Sequence, residues 1–484
     1  MKLKSLTENL SVIKSTADPE CEISGIAYDS RAVCPGYTFV AIRGLQTDGH
    51  NYIPDAVKAG AAVIICEEVP AEDIPFIQVE NSRLALSLIS AAWFRYPARE
   101  MKLIGVTGTS GKTTTTHLIK HILEEAENAK VGLVGTNGNR IGRELIHTEF
   151  TTPESLELQG LFRRMADEGC SHAVMEVSSH SLAMDRVGGL RFDVAAFTNL
   201  TQDHLDLHKT MEEYAAAKHR LFLMCDTACM NLDDPYVSTM MQGISCPCLT
   251  TSVADPAANL FADQISLTAQ GVSFLAVYGG ERVPVTLAIP GMFSVHNALT
   301  ALSVCIAAGI PLAKAAAALA TAKGVKGRVE TVPTGKDYTI LIDYSHKPDA
   351  LENVLRTLRP VTKGRLITLF GCGGDRDRQK RPIMGRVAAK FSDYVIVTSD
   401  NPRTEDPDAI IAEIVEGLKD ASTPYHVLTD RIDAIHYAID NASPGDVILL
   451  AGKGHEDYQI VGHEKHHMDE REIVADYLKE KGSL

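Results

Sequence analysis

Residues 102–126 constrain the fold more than any other stretch of the chain. The run KLIGVT (102–107) has the length and apolar character of one buried strand, GTSGKTT (108–114) cannot extend it, and Lys112 to about Ala126 is compatible with a helix. Strand, tight turn and helix in that order begin an open α/β domain. The turn amides and the helix N-terminus can cradle a phosphate, and Lys112 can neutralise it. The spacing is GxxGKT and not the longer GxxxxGK[ST], whose first glycine would fall at Val106. Binding of ATP or GTP through Gly108, Thr109, Ser110, Gly111, Lys112, Thr113 and Thr114 is therefore expected, with the Thr113 hydroxyl available to Mg²⁺. A plain strand-to-helix turn with an exposed lysine is the alternative.

At 484 residues the chain exceeds one ordinary core and suits about three domains. Short β-like runs, YTFVAI (37–42) and AAVIIC (61–66), and a helical stretch near Leu84 to Phe94 precede Tyr96-Pro97, which places a boundary near residue 98. The nucleotide-binding region continues through HAVMEV (172–177) and DVAAFTNL (193–200) to an alanine-rich helical stretch around 295–322. Residues 324–335, GVKGRVETVPTG, read as a linker. Beyond them YTILIDY (338–344), RLITLF (365–370), YVIVTSD (394–400) and DVILLA (446–451) recur at helix-length intervals, which predicts a parallel Rossmann-like sheet. Each of these runs leads into a polar or glycine-rich loop, where open α/β sheets bind ligands. The expected fold class is α/β in three domains, 1–98, 99–332 and 333–484, with a central P-loop-type ATPase domain and a C-terminal Rossmann-like domain.

A net charge of -15 argues against broad binding to nucleic acid, and no stretch approaches the roughly 18 apolar residues of a membrane helix. The ten cysteines lack CxxC spacing, Cys246 and Cys248 being the nearest pair, so reduced thiols are expected rather than a zinc ribbon or disulfide framework. The opening MKLKSLTENLSVIKS has no apolar core or cleavage site of a secretory signal, and a cytoplasmic location is expected.

Glu176 ends the run HAVMEV, where a strand-end carboxylate can complete a Mg²⁺ shell. In TNLTQDHLDLH (198–208), Asp203, His204, Asp206 and His208 are candidate metal ligands, or else belong to a solvated loop with helix-capping acids. The i, i+4 histidines lack the HExxH context of a zinc site. Lys218, in EEYAAAKHRLF, reads from pattern alone as a solvated helix lysine.

The series GTSGKTT, TTPES (151–155), MEVSSHSL (175–182), TNLTQDHLDLH, AAAKHRLF, HNALTA (296–301), GRVE (327–330) and DYSHKPDALE (343–352) resembles the Mur ligases. The resemblance extends to DSRAVCPGYTFVAIRGLQTDGH (29–50) and to GCGGDRD, DNPRTEDP and AGKGHE, and so covers nearly the whole chain. It implies a UDP-binding N-terminal domain, a central ATPase and a C-terminal domain that closes over an incoming amino acid. The implied reaction adds meso-diaminopimelate to the D-Glu γ-carboxylate of UDP-MurNAc-L-Ala-D-Glu, in bacterial peptidoglycan precursor synthesis, by a cytoplasmic monomer. Lysine addition, as in another branch of the family, is the nearest alternative. Folylpolyglutamate synthases share the ATPase logic, and a nucleotide-binding switch or scaffold is the alternative of another class.

By the same resemblance Ser30, Gln46 and Thr47 contact the UDP-sugar, and Thr151, Thr152, Ser178 and Arg186 the muramoyl dipeptide, with Met184 where the family often has glutamine. Lys112, Thr113 and Glu176 match the ATP and first Mg²⁺ positions. His204 and Lys218 match the second metal site, in which the lysine carries a CO₂-derived carbamate that turns a cation into an oxygen donor. Asn297, Arg328 and Asp343 match further ATP contacts, with Ser294 and His296 replacing the usual Asn and Tyr nearby. For the amino acid, Asp400-Asn401-Pro402-Arg403 is the pattern of diaminopimelate-adding members: the Arg403 fork suits the far carboxylate that lysine lacks. Arg376, Gly452 and Glu456 match additional contacts, Glu456 being suited to an ammonium group.

Overall fold

The computed structural model describes residues 1–482 except 45, 46, 149 and 323, with no side chain described at 206. By packing it forms two compact units, Met1–Thr251 with Thr300–Pro311, and Ser252–Leu299 with Leu312–Leu484.

In the first unit, the N-terminal sheet runs in the order Val12–Ser15, Phe76–Val79, Val63–Cys66, Tyr37–Val40, Gly25–Ala27. Only the Val12–Ser15 edge is antiparallel. Both faces are covered, which is why Val63–Cys66 reads as an unbroken apolar run. One covering helix is Ser82–Trp93, started by the Asn81 side chain accepting from the Leu84 N–H.

The same unit holds a second sheet whose parallel strands are ordered Val131–Val134, His172–Glu176, Lys102–Thr107, Phe192–Phe197, Cys225–Asn231 and Cys248–Ser252. Lys102–Thr107 is central: the chain crosses from it to one side through the helix Lys112–Glu127 and later returns to pair on its other side. That reversal leaves a crevice at the C-terminal end of the strand, where the glycine-rich loop lies. Gly105 is needed within the strand, since a Cβ there would come within 2.8 Å of the Phe192 ring.

In the second unit the six-stranded sheet is ordered Glu330–Val332, Thr339–Asp343, Val447–Ala451, Leu366–Phe370, Tyr394–Val397, Tyr425–Val427. The four expected apolar runs are its parallel centre. The segment read as a linker contributes the antiparallel edge strand Glu330–Val332, because its Thr331 and Val332 pair with Leu341 and Ile340. An antiparallel meander, Leu260–Thr268, Gly271–Tyr278 and Glu281–Leu287, was not legible in the sequence. Its first strand alternates buried and exposed residues only in part, and a register shift between Asp263 and Ser266 breaks the period. The alanine-rich stretch forms two helices, Met292–Ala307 and Leu312–Leu319, divided at Gly309 (φ +102°) and Pro311.

Candidate functional site

The glycine-rich loop is built by its backbone. Gly108 has φ +151°, and a Cβ there would collide with the Thr198 hydroxyl, while Gly111 has φ +84° at the N-cap of Lys112–Glu127. The Ser110 N–H donates to Asn199 Oδ1 at 2.9 Å and the Thr109 N–H to the Asn199 carbonyl at 2.8 Å. Lys112 Nζ folds back onto the carbonyls of Gly108 and Thr109 at 2.8 and 2.9 Å.

Glu176 lies beside the loop, 1% exposed. It accepts from the Thr113 hydroxyl at 3.1 Å, from the Thr136 N–H at 2.9 Å and from the Thr136 hydroxyl at 3.1 Å. A buried carboxylate next to a helix-start hydroxyl, held by neutral donors, is an oxygen-rich set suited to a hard divalent cation. Among the described residues no three His, Cys, Asp or Glu side chains gather as a metal shell.

Lys218 departs from the expectation of a solvated lysine. It is 1% exposed, donates to the Gly108 carbonyl at 2.8 Å and sits 4.6 Å from the centre of the Tyr214 ring. Burial, reinforced by the Lys112 charge and opposed by Asp203, holds its ammonium well below the usual lysine range. His204 is in left-handed backbone, φ +52°, with its ring 4.8 Å from that of His180. Burial pushes its pKa down too, with Asp203 opposing. His208 stacks on Tyr214 at 5.2 Å. The Asp206 side chain lies outside the described residues.

Thr151, Thr152, Ser178 and Arg186 are brought together. Thr136 and Thr151 hydroxyls are 3.0 Å apart, Thr152 Oγ1 donates to the Glu176 carbonyl at 2.8 Å, and the Ser178 N–H donates to Thr152 Oγ1 at 3.3 Å. Arg186 donates to the Thr152 carbonyl at 3.0 Å and pairs with Glu154 at 2.6 Å. Met184, at the position often polar in the family, lies 3.8 Å from an Arg186 nitrogen through its sulfur. In the N-terminal part, Ser30 and Thr47 line one cleft of about 580 Å³ with Tyr28, Arg31 and Tyr52. Gln46 lies outside the described residues.

In the second unit a cleft of about 560 Å³ gathers Arg376, Asp400, Asn401, Arg403, Gly452 and Glu456, from loops that follow three different strands. Pro402 does not line it: its carbonyl accepts from the Glu405 N–H at 3.2 Å, closing the turn. Arg403, φ +53°, is pinned by its N–H to the Ile460 carbonyl at 3.0 Å, and its Nη1 donates to the Gly374 carbonyl at 2.9 Å. Gly452 has φ +114°, and a Cβ there would stand 2.7 Å from Asp400 Oδ2. Elsewhere in this unit Asp343 accepts from the Val329 N–H at 2.8 Å, Arg328 lies 5.5 Å from the Tyr344 ring centre, and Asn297 is buried in Met292–Ala307.

Two buried side chains of this unit were passed over in the sequence. Arg381, fully buried, binds Glu405 at 2.8 Å and Glu413 at 2.9 Å, tying helix and loop together behind the cleft. Lys453 bonds Asn401 and Glu456. Lys453 stands inside the motif AGKGHE, which was the available signal; Arg381 had none, because its partners are distant in sequence.

Phosphate loop, strand-end carboxylate and a cleft among the loops of a Rossmann-like sheet define an ATP-dependent ligase of three-domain α/β construction. The chain belongs to the Mur ligase family: the family's catalytic domain matches residues 22–94, its middle domain 106–305 and its glutamate ligase domain 327–454. It is 48% identical over 466 residues to the UDP-N-acetylmuramoyl-L-alanyl-D-glutamate--2,6-diaminopimelate ligase of Caldanaerobacter subterraneus subsp. tengcongensis, covering 96% of each chain. A solved structure of a protein of that same name superposes with a TM-score of 0.77 at 31% identity, covering 100% of this chain and 99% of the other. A MurF ligase from Thermotoga maritima in complex with ADP matches at a TM-score of 0.58 and 19% identity, covering 94% and 97%, a likeness of fold.

Proposed function

We propose that this chain joins meso-diaminopimelate to the D-Glu γ-carboxylate of UDP-MurNAc-L-Ala-D-Glu at the expense of ATP, in the bacterial cytoplasm, as a monomer. The observation that carries the reading is the full-length similarity to ligases of that name, joined to a cleft in which two arginines and a glutamate face one space.

A carboxylate does not acylate an amine at neutral pH, because its oxygen is a poor leaving group. Transfer of the ATP γ-phosphoryl to it gives an acyl phosphate; the diaminopimelate amine then attacks the acyl carbon, and phosphate leaves. In the first half, Lys112 and the amides of residues 108–114 hold the phosphates, and positioning with charge neutralisation supplies most of the catalysis. Thr113 and Glu176 would hold one Mg²⁺, and His204 with Lys218, as a carbamate, a second; bound there, the ions neutralise the charge on the transferring group. The low proton affinity of buried Lys218 supports the carbamate, since only a neutral amine reacts with CO₂. Asn297, Arg328 and Asp343 are assigned to ATP by family resemblance. Thr151, Thr152, Ser178 and Arg186 would bind the dipeptide, and Ser30, Gln46 and Thr47 the UDP end.

In the second unit Arg403 and Arg376 would take the far carboxylate of diaminopimelate, and Glu456 its ammonium, with Asp400, Asn401, Pro402 and Gly452 shaping the loop. The domain limits 1–98, 99–332 and 333–484 go with this division of labour. The test is phosphate release dependent on ATP and Mg²⁺ with UDP-MurNAc-L-Ala-D-Glu, comparing meso-diaminopimelate with L-lysine and weighing the product. Tripeptide with diaminopimelate alone supports the proposal; preference for lysine overturns the role of Arg403, and no product with either overturns the ligase substrates.

A further inference from the structure

One cation stands just behind the amino-acid cleft and takes no part in the assignments above. Lys453 is fully buried, at 0% exposure, so its amine is excluded from water and must be satisfied within the fold. It donates to Asn401 Oδ1 at 2.8 Å and to Glu456 Oε2 at 2.9 Å, and lies 5.3 Å from the centre of the Tyr458 ring. Asn401 Nδ2 donates to the same Glu456 oxygen at 2.9 Å, which closes a triangle of side chains. The Ile460 N–H reaches Asn401 Oδ1 at 2.9 Å, and Gln459 donates to the Asp400 carbonyl at 2.7 Å.

The triangle has a sense. An asparagine amide can face either way, and here two donors, Lys453 Nζ and the Ile460 N–H, both require its oxygen. Its nitrogen is thereby turned to Glu456. Glu456 in turn has one oxygen bound by two donors, which fixes the plane of a carboxylate that lines the cleft. Asn401 and Glu456 line the cleft and Lys453 does not, so the lysine acts through them.

We propose that Lys453 is a positioning residue for amino-acid selection, holding Asn401 and Glu456 so that the cleft offers an acceptor oxygen to a substrate ammonium beside the guanidinium groups of Arg403 and Arg376. The inference rests on the reading of this cleft as the amino-acid site. Removal of the lysine leaves the Asn401 oxygen with the Ile460 N–H alone and the Glu456 oxygen with the Asn401 amide alone, so the carboxylate is held less firmly, and the loss falls on the amino acid rather than on ATP or the UDP-linked dipeptide.

Steady-state kinetics of the full chain test this, with each of the three substrates varied in turn. For Lys453→Met the KM for meso-diaminopimelate is expected to rise about tenfold or more, the equivalent of one charge-assisted hydrogen bond, with the other two KM values within about twofold. Glu456→Gln should raise the same KM, and the double variant should be no worse than the worse single one, because both changes remove one shared arrangement. Lys453→Gln keeps amide N–H donors without the charge and should fall between wild type and methionine; it also serves if the methionine variant does not fold. Equal rises in all three KM values, multiplied losses in the double variant, or an unchanged KM for diaminopimelate overturn the role of Lys453. Absence of wild-type turnover with diaminopimelate overturns the reading of the cleft, and the role of Lys453 with it.

Discussion

Arg403→Leu should collapse the choice between diaminopimelate and lysine. The arginine already occupies left-handed backbone, φ +53°, held by its N–H to the Ile460 carbonyl at 3.0 Å and by the Gly462 N–H to its own carbonyl at 2.7 Å. Leucine is likewise unbranched at Cβ, so the exchange adds little backbone strain. Of the five guanidinium N–H groups one is given to the Gly374 carbonyl, and the others leave a fork for a carboxylate. A charge-assisted hydrogen bond contributes about 1.5–3 kcal/mol, so losing the fork should cost about 3 kcal/mol, near a hundredfold in kcat/KM for diaminopimelate. Lysine has no far carboxylate and loses only the loop contact to Gly374, about 0.5–1 kcal/mol or roughly threefold. Diaminopimelate loses that loop contact as well, so it cancels, and discrimination should fall by the roughly hundredfold of the fork alone. Phosphate release with both amino acids, checked by product mass, measures it. A parallel loss for both substrates would refute the reasoning, since Arg403 would then serve only to tether residues 373–374.

Glu176→Gln keeps the volume of a buried side chain but replaces an acceptor with a donor facing the Thr113 and Thr136 hydroxyls; kcat should drop about a hundredfold or more, with a raised Mg²⁺ requirement seen in a metal titration. Arg431→Met strands Glu470, its partner at 2.8 Å with both side chains at 0% exposure, and should cost about 3–5 kcal/mol in urea unfolding; Arg431→Met with Glu470→Leu should recover part of that loss. Arg381 and the Asp375 N–H hold the Glu405 carboxyl down at about 2, below its ordinary 4.5. Its contribution to stability is therefore complete above pH 4.5 and is lost as pH falls from there toward 2, so Glu405→Gln should flatten that limb of a urea-unfolding series.

What the sequence made legible was short in range. GTSGKTT, HAVMEV and DNPR each bring strand, turn and functional side chain within a few residues, and the structure sets Thr113 against Glu176 and six of the seven amino-acid-site residues around one cleft. Beyond that range the pattern misled or fell silent. Lys218 follows three alanines and reads as solvated, yet its amine is buried against the Gly108 carbonyl, more than a hundred residues away in sequence. The strand Glu330–Val332 hides between glycines and prolines because its pairing partner, and not its composition, makes it a strand. Arg381 acts on Glu405 and Glu413, contacts that no local periodicity encodes.

Cations at the strand ends, fully buried in the case of Lys218 and Arg431, answer one recurrent problem. At the C-terminal ends of parallel strands the ladder stops, and carbonyls in the loops beyond lose their partners where packing also excludes water. Lys112 and Lys218 both close on the Gly108 carbonyl after Lys102–Thr107. Arg431 takes the carbonyls of Ala451 at 2.9 Å and Ser399 at 3.3 Å, at the ends of Val447–Ala451 and Tyr394–Val397. Arg403 takes that of Gly374, beyond Leu366–Phe370. A cation placed to satisfy such a carbonyl already stands where open α/β sheets bind their ligands, so the same side chain can meet an anion there at little further cost in ordering. Structural need and chemical use thus converge on Lys112, Lys218 and Arg403; of these, pattern alone reads Lys218 as solvated, while the motifs around Lys112 and Arg403 already point to anions.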